Sequence, residues 1–258
     1  MLFEREDWML FRNMETLPQK AGVPKSKLSM LVCKELADNA LDTCGSCEIG
    51  YEGDFFFVKD QGPGLDLALF SISRPLRSSK YLRLPTRGAL GNGLRVVAGA
   101  VVASGGELYV ATEGKNYRIH FQNDGSSLPE YLGPYPQGGT KISFTLGKMP
   151  INSAWARMAV NYAQGEAYRG KTSPYWYTSE NFFELFQSFI GSVRELIGQF
   201  DGCTGGKAGK IAALYPKTPA NALSFGETEV LLTELRAAVK TVNPERLGQI
   251  GSLEYWSG

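Results

Sequence analysis

The stretch KELADNALD, residues 34–42, sets two acids and an amide, Glu35, Asp38 and Asn39, inside a run that otherwise has the pattern of a buried helix. Around it, Leu28, Leu31, Val32, Leu36, Ala40 and Leu41 recur at steps of three and four, which is helical spacing. Glu35 and Asn39 are four apart and share one helix face, and Asp42, three beyond Asn39, lies close to it. Taken alone, an E-x-x-x-N pair reads as a solvated stripe. It acquires chemistry only if other segments converge on it.

The chain of 258 residues is long enough for one large domain or two ordinary ones, and 43% hydrophobic with 21% charged residues is a globular composition. A net charge of +1 gives no overall basic field, so any contact with DNA would come from a local patch. The opening MLFEREDWMLF has acids among its first residues and no long apolar core, so it does not read as a signal peptide. No apolar run approaches a membrane span, and no membrane partner is expected. Cys44 and Cys47 form a lone C-x-x-C, and Cys33 and Cys203 supply no second pair at zinc-site spacing. Free thiols in a reducing cytoplasm are the expectation.

Outward from the opening stretch, a first helix is expected within residues 4–16. The motif helix is expected to begin near Pro24 to Ser26, with Ser26 as N-cap, and to stop near Gly45. CEIGY and DFFFVKD read as a hairpin turning at Glu52-Gly53. Helical spacing resumes at LDLALFSI, and a basic loop runs from Arg74 to Arg87. GALGNGLRVVAGAVVAS reads as a glycine-rich loop opening a helix of small residues. GELYVATEG and NYRIHFQ look like a second hairpin, and GGTKISFTL like a further strand. Beyond Pro150 the pattern is helical, so residues 1–150 are read as an α+β domain and 151–258 as an all-α one.

Four short elements stand in order: Glu35-x-x-x-Asn39 on a helix, Asp60-Gln61-Gly62-Pro63-Gly64 after a strand, Gly88-x-x-Gly91-x-Gly93 opening a helix, and Gly139-Thr140 starting a strand. Each alone is weak. D-x-G-x-G is often a turn, and G-x-x-G-x-G is often a closely packed helix start. Together they have the logic of a nucleoside triphosphate site. Backbone N–H groups at a helix N-terminus, uncluttered by side chains, can cradle phosphates, as Gly88, Gly91 and Gly93 would. A magnesium ion needs oxygen ligands, which Asn39 can supply. Hydrolysis needs a base or positioner for water, which Glu35, one helical turn away, can provide. An adenine ring needs an acceptor and flat backbone beside it, which Asp60, Gly62 and Gly64 can supply.

In order and spacing, ELADNALD, DQGPG, RGALGNGL and GGT resemble the four boxes of the GHKL ATPase superfamily, which holds gyrase B subunits, the large heat-shock chaperones, MutL proteins and histidine kinases. The resemblance covers residues 26–146. It implies a Bergerat fold, a two-layer α/β sandwich with a mixed, mainly antiparallel sheet, holding ATP and Mg2+. It further implies Glu35 as general base, Asn39 as magnesium ligand and Asp60 as adenine reader, with Thr140 supporting Asp60. Asp42 would take a supporting position. Gly88, Gly91, Gly93 and Leu94 would belong to the phosphate box.

The segment from Phe70 to Gly106 is similar to the B subunit of topoisomerase VI, where a serine-lysine-aromatic step, here Ser79-Lys80-Tyr81, precedes the third box. That similarity implies a lid over the nucleotide, with Lys80 approaching phosphate oxygens. The basic loop alone reads equally as a solvated one. A histidine kinase is disfavoured, because the single histidine, His120, falls in an apparent strand after the third box. The helical tail could correspond to the helix-two-turns-helix domain of that subunit, with the loop Gly202 to Lys210 as a phosphate-touching turn. GGKAGK fails as a P-loop for want of a Ser or Thr after the lysine and an earlier glycine. The lysine that these relatives bring from a later transducer domain has no counterpart here. A fragment, a lysine from a partner, or slow hydrolysis are the readings this leaves open, and SLEYWSG does not read as a natural domain edge.

Two functions are therefore carried forward. One is the ATPase subunit of a type IIB topoisomerase-like machine, dimerising on ATP and working with a DNA-cleaving partner. The other is a nucleotide-gated dimerisation module with negligible turnover. Glu35 favours the first, since a pure switch needs no base there, and a heat-shock-type chaperone is the weaker third.

Overall fold

The computed structural model describes residues 7–73, 82–85, 92–163 and 168–247. The chain divides into two compact units, one of residues 1–77, 90–167 and 249–258, the other of 78–89 and 168–248.

In the first unit, six strands form one sheet in the order β1-β2-β6-β3-β4-β5. They are β1 (Glu48–Glu52), β2 (Phe55–Asp60), β3 (Leu108–Thr112), β4 (Lys115–Phe121), β5 (Ser127–Pro134) and β6 (Thr140–Phe144). Every pairing among them is antiparallel, where a mixed sheet was expected. The alternation of side chains sorts the sheet into two faces. Phe56, Val58, Leu108, Val110, Ile142 and Phe144 point to one side and are buried. There they meet helices α2 (Leu28–Cys44) and α3 (Gly93–Ser104), through Val32, Leu36, Val97 and Val101. Helix α4 (Ala154–Tyr162) packs on α2. The unit is thus an α+β sandwich with its core between helices and sheet.

Local expectations and structure part in places. Residues 4–16 were expected to hold a helix. The described part is a 3-10 turn, Asp7–Phe11, and a short helix α1, Leu17–Ala21, follows. Ser26 does not cap α2, because a 3-10 turn, Lys25–Lys27, precedes it and Lys27 holds the cap position. Gly45 ends α2 with φ 78°, as expected. LDLALFSI yields only a 3-10 turn, Leu67–Phe70. Strand β5 was not expected at all. The change at residue 150 falls before α4, which groups with the sheet unit.

The second unit is helical: α5 (Ser179–Ser188), α6 (Val193–Ile197), α7 (Gly206–Ala212) and α8 (Phe225–Ala238). Phe182, Phe186, Phe200, Leu231 and Leu235 form its core. Ser192 with Glu195 and Ser224 with Glu227 are capping boxes that start α6 and α8. Much of the segment read as a loop, Gly202 to Lys210, is helix α7, and Lys207 Nζ donates to the Ala238 carbonyl at 3.0 Å. Of the basic loop, residues 82–85 belong to this unit. Leu82 packs on its core, the Arg83 N–H donates to Tyr177 Oη at 2.7 Å, and Thr172 Oγ1 donates to the Arg83 carbonyl at 2.6 Å. Among the described residues, no helix is long and apolar enough to cross a membrane.

Candidate functional site

Helix α2 buries one face and turns another toward α3. Asp38 goes with the buried face: it is 2% exposed and ion-paired to Lys34, one turn earlier. Glu35 and Asn39 lie on a half-buried face. The first residue of α3, Gly93, meets both of them. A Cβ there would overlap Glu35 Oε2 and lie 3.4 Å from Asn39 Nδ2. A side chain there would have to displace the Glu35 carboxylate, the mobile end of its side chain. The start of a helix carries unpaired N–H groups and partial positive charge, so Glu35 and Asn39 face an electropositive end. Leu94, the next residue, is half-buried and packs on the core.

The second element is built at the end of β2. Asp60 and Thr140 are register partners on β2 and β6. Both continue the parity of Val58 and Ile142, so they lie on the helix face of the sheet. Gly139, with φ 69°, passes so close to β2 that a Cβ would collide with the Asp60 carbonyl. Asp60 Oδ1 accepts from the Gly62 N–H at 2.7 Å and from the Cys44 thiol at 3.6 Å. Burial pushes the Asp60 carboxyl above its ordinary range, and the Gly62 N–H and Cys44 thiol oppose that shift. Gly64 backs onto Thr112 and Glu113, and Thr112 Oγ1 accepts from the Leu65 N–H at 2.9 Å. Thr112 was not singled out in the sequence, and Cys44 only as half of a C-x-x-C. They anchor the loop after β2 from β3 and α2, through contacts that no local pattern announces.

Arg95 was likewise not foreseen. As the third residue of α3 it is 9% exposed, and its Nε donates to the Ile72 carbonyl at 2.7 Å. Its Nη2 reaches Asp7 Oδ1 at 2.9 Å, and its guanidinium lies 4.5 Å from the Phe11 ring centroid. It ties α3 to the N-terminal turn and to the segment after the second box.

The structure therefore brings together Glu35, Asn39 and Gly93, and separately Asp60, Gly62 and Thr140. Lys80, Gly88 and Gly91 lie outside the described residues, as do Arg74, Arg77 and Arg87. Asp42 is half-buried on α2. His120 sits on β4 with Nε2 2.6 Å from Glu130 Oε2. Cys33 and Cys203 are buried free thiols, and burial pushes Cys33 up to about 12.

A bound phosphate group with its cation fits these residues on two grounds. Gly93 leaves a side-chain-free approach to the start of α3. Beside it, Asn92 Oδ1 is buried and, among the described residues, accepts no hydrogen bond, so it suits a donor or a cation. No three His, Cys, Asp or Glu side chains among the described residues converge as a metal cluster. A magnesium ion would therefore share its shell with phosphate oxygens and water.

No family model matches the chain, and no curated protein matches it. Among solved structures, it is similar to the 43K ATPase domain of Thermus thermophilus gyrase B, crystallised with an aminocoumarin. The identity is 20%, the TM-score 0.36, and the match covers 59% of this chain and 45% of that one. It is also similar to the N-terminal domain of a DNA repair protein, at 18% identity and TM-score 0.29, over 45% of this chain and 34% of that one. The chain thus spans under half the length of either neighbour. At that similarity neither assigns an activity or a site residue here.

Proposed function

We propose that the first unit binds ATP with Mg2+ and hydrolyses it. The observation that carries this reading is the contact of Glu35 and Asn39 with the glycine that opens α3. It sets a carboxylate and an amide at the electropositive end of a helix, where phosphates bind. In this reading Glu35 takes a proton from the attacking water. Asn39 offers its amide oxygen to Mg2+, which when bound would neutralise charge on the phosphates. Asp60 accepts from the adenine amino group, and Thr140, its register partner, supports it. Gly62 and Gly64 keep the backbone beside the ring uncluttered. Gly88, Gly91, Gly93 and Leu94 form the phosphate box, and Lys80 approaches the phosphates.

We further propose that the chain is the ATPase subunit of a type IIB topoisomerase-like DNA-processing machine. In that role ATP closes a homodimer and a separate chain cuts DNA. The order of the four boxes and the step Ser79-Lys80-Tyr81 support this reading. The test is ATP binding by calorimetry with and without Mg2+, followed by sedimentation with a non-hydrolysable analogue, with and without DNA. Magnesium-dependent binding that produces a dimer supports the proposal, and absence of ATP binding refutes it.

A further inference from the structure

The sheet has a second face, and it carries a cavity unrelated to the residues above. Side chains at Phe55, Tyr109, Ala111, Lys141 and Ser143 alternate with the buried ones, so they point away from the helices and from Asp60 and Thr140. Two short side chains, Ser143 on β6 and Ala111 on β3, make a low floor on neighbouring strands. Larger groups stand around it: Phe55, Tyr109, and Tyr135 from the segment after β5. The result is a cavity of about 390 Å³, within the size range of small-ligand sites.

Two ion pairs, each with one carboxylate lining the cavity, repeat one motif. On one side Lys141 lies 4.7 Å from the Phe57 ring centroid and pairs with Glu52 Oε1 at 2.6 Å. On the other, Arg118 lies 5.9 Å from the Tyr109 ring centroid and pairs with Glu107 Oε1. Each pair already holds a cation between an aromatic ring and a carboxylate. Glu52 and Glu107 both line the cavity, and each has an Oε2 beyond the oxygen used in its pair. Of the charged side chains lining it, two are carboxylates and one is an ammonium. Arg118 is held in the pair with Glu107 as Lys141 is with Glu52, so the charges balance, and the outer carboxylate oxygens of Glu52 and Glu107 are the acceptors the cavity offers. A cation on an apolar stem would lay its methylenes on the rings and its charge near the carboxylates.

We propose that this cavity binds an alkyl cation, a guanidinium or ammonium group on a methylene stem. It stands independently of the nucleotide reading. Two sources share that chemistry: a basic side chain of a partner protein, and a free polyamine.

The test is calorimetric titration of the full chain with butylguanidinium and butylammonium, with butyrate as the same stem of opposite charge. The proposal expects saturable binding of both cations and none of butyrate. The double variant Glu52→Gln/Glu107→Gln, at two exposed carboxylates, should weaken cation binding by about tenfold or more and leave ATP turnover unchanged. Ser143→Leu, which raises the floor, should weaken it independently. Spermidine binding more tightly than a capped arginine tripeptide assigns the site to a polyamine, and the reverse order assigns it to a protein side chain. No cation binding, equal binding of butyrate, or an undiminished double variant overturns the proposal.

Discussion

Glu35 Oε2 occupies the space that a side chain on Gly93 would need. Two segments far apart in sequence, the middle of α2 and the first residue of α3, are therefore fitted to each other at the scale of one methyl group. Gly93→Ala tests whether that fit matters to function. Alanine normally favours a helix over glycine by about 1 kcal/mol, so the fold should persist, with Glu35 swung aside. ATP turnover should fall by ~10²-fold, the scale expected for a misplaced catalytic group. Steady-state kinetics beside a thermal melt would check this, and full activity would show that Glu35 is not held for catalysis.

Asp60→Asn separates stability from binding. Because burial raises the Asp60 pKa, the folded protein holds a proton there that the unfolded chain has lost, between the ordinary 3.8 and the raised value. Through that window stability falls as pH rises, since the unfolded state binds fewer protons. Asparagine can still accept from the Gly62 N–H, and it removes the charge. The ligand-free variant should therefore melt no lower than the parent at neutral pH, without that acid-side decline. ATP binding should be lost, because a donor replaces part of an acceptor facing the adenine amino group. Melting curves across pH and calorimetry with ATP measure the two effects separately.

Arg95→Met removes the bond to the Ile72 carbonyl and the pair with Asp7 while keeping an apolar stem over Phe11. The expected loss is about 1–3 kcal/mol, read from urea denaturation. An unchanged midpoint would mean that the N-terminal turn is held by packing alone.

In the helical unit, Tyr177→Phe deletes the hydroxyl shared by the Arg83 N–H and Thr172 Oγ1. A loss of about 0.5–1.5 kcal/mol is expected. Proteolysis near residues 82–85 should accelerate as that segment is released. Unaltered cleavage there would argue that Leu82 packing and the Thr172 bond to the Arg83 carbonyl hold the segment without it.

What the sequence disclosed followed the range of the interactions. The pairing of Glu35 with Asn39 was readable because it needs only the periodicity of one helix, and Gly45 marked its end by local backbone rules. Strands β1, β2, β3, β4 and β6 were readable from alternation. Strand β5, SLPEYLGP, was not, because Pro129 and Pro134 argue against a strand and only pairing with β4 makes it one. In the described part of the N-terminal segment a 3-10 turn stands where a helix was expected, and its Asp7 and Phe11 are engaged by Arg95, far along the chain. The contacts of Thr112 and Cys44 with the second box were not readable, because each meets it only through the folded sheet and helix layer. The side of the sheet bearing the cavity was visible as alternation, but its floor depends on Ser143 and Ala111 becoming neighbours on adjacent strands.

The most direct measurement is ATP turnover by the full chain with Mg2+, beside ATP affinity, for the parent and Glu35→Ala. The account predicts turnover in the parent, a loss of ~10²–10⁴-fold in the variant, and ATP affinity nearly unchanged. Binding without turnover in the parent would make the chain a nucleotide-gated module instead. Equal turnover in both proteins, or loss of binding along with turnover, would contradict Glu35 as the base.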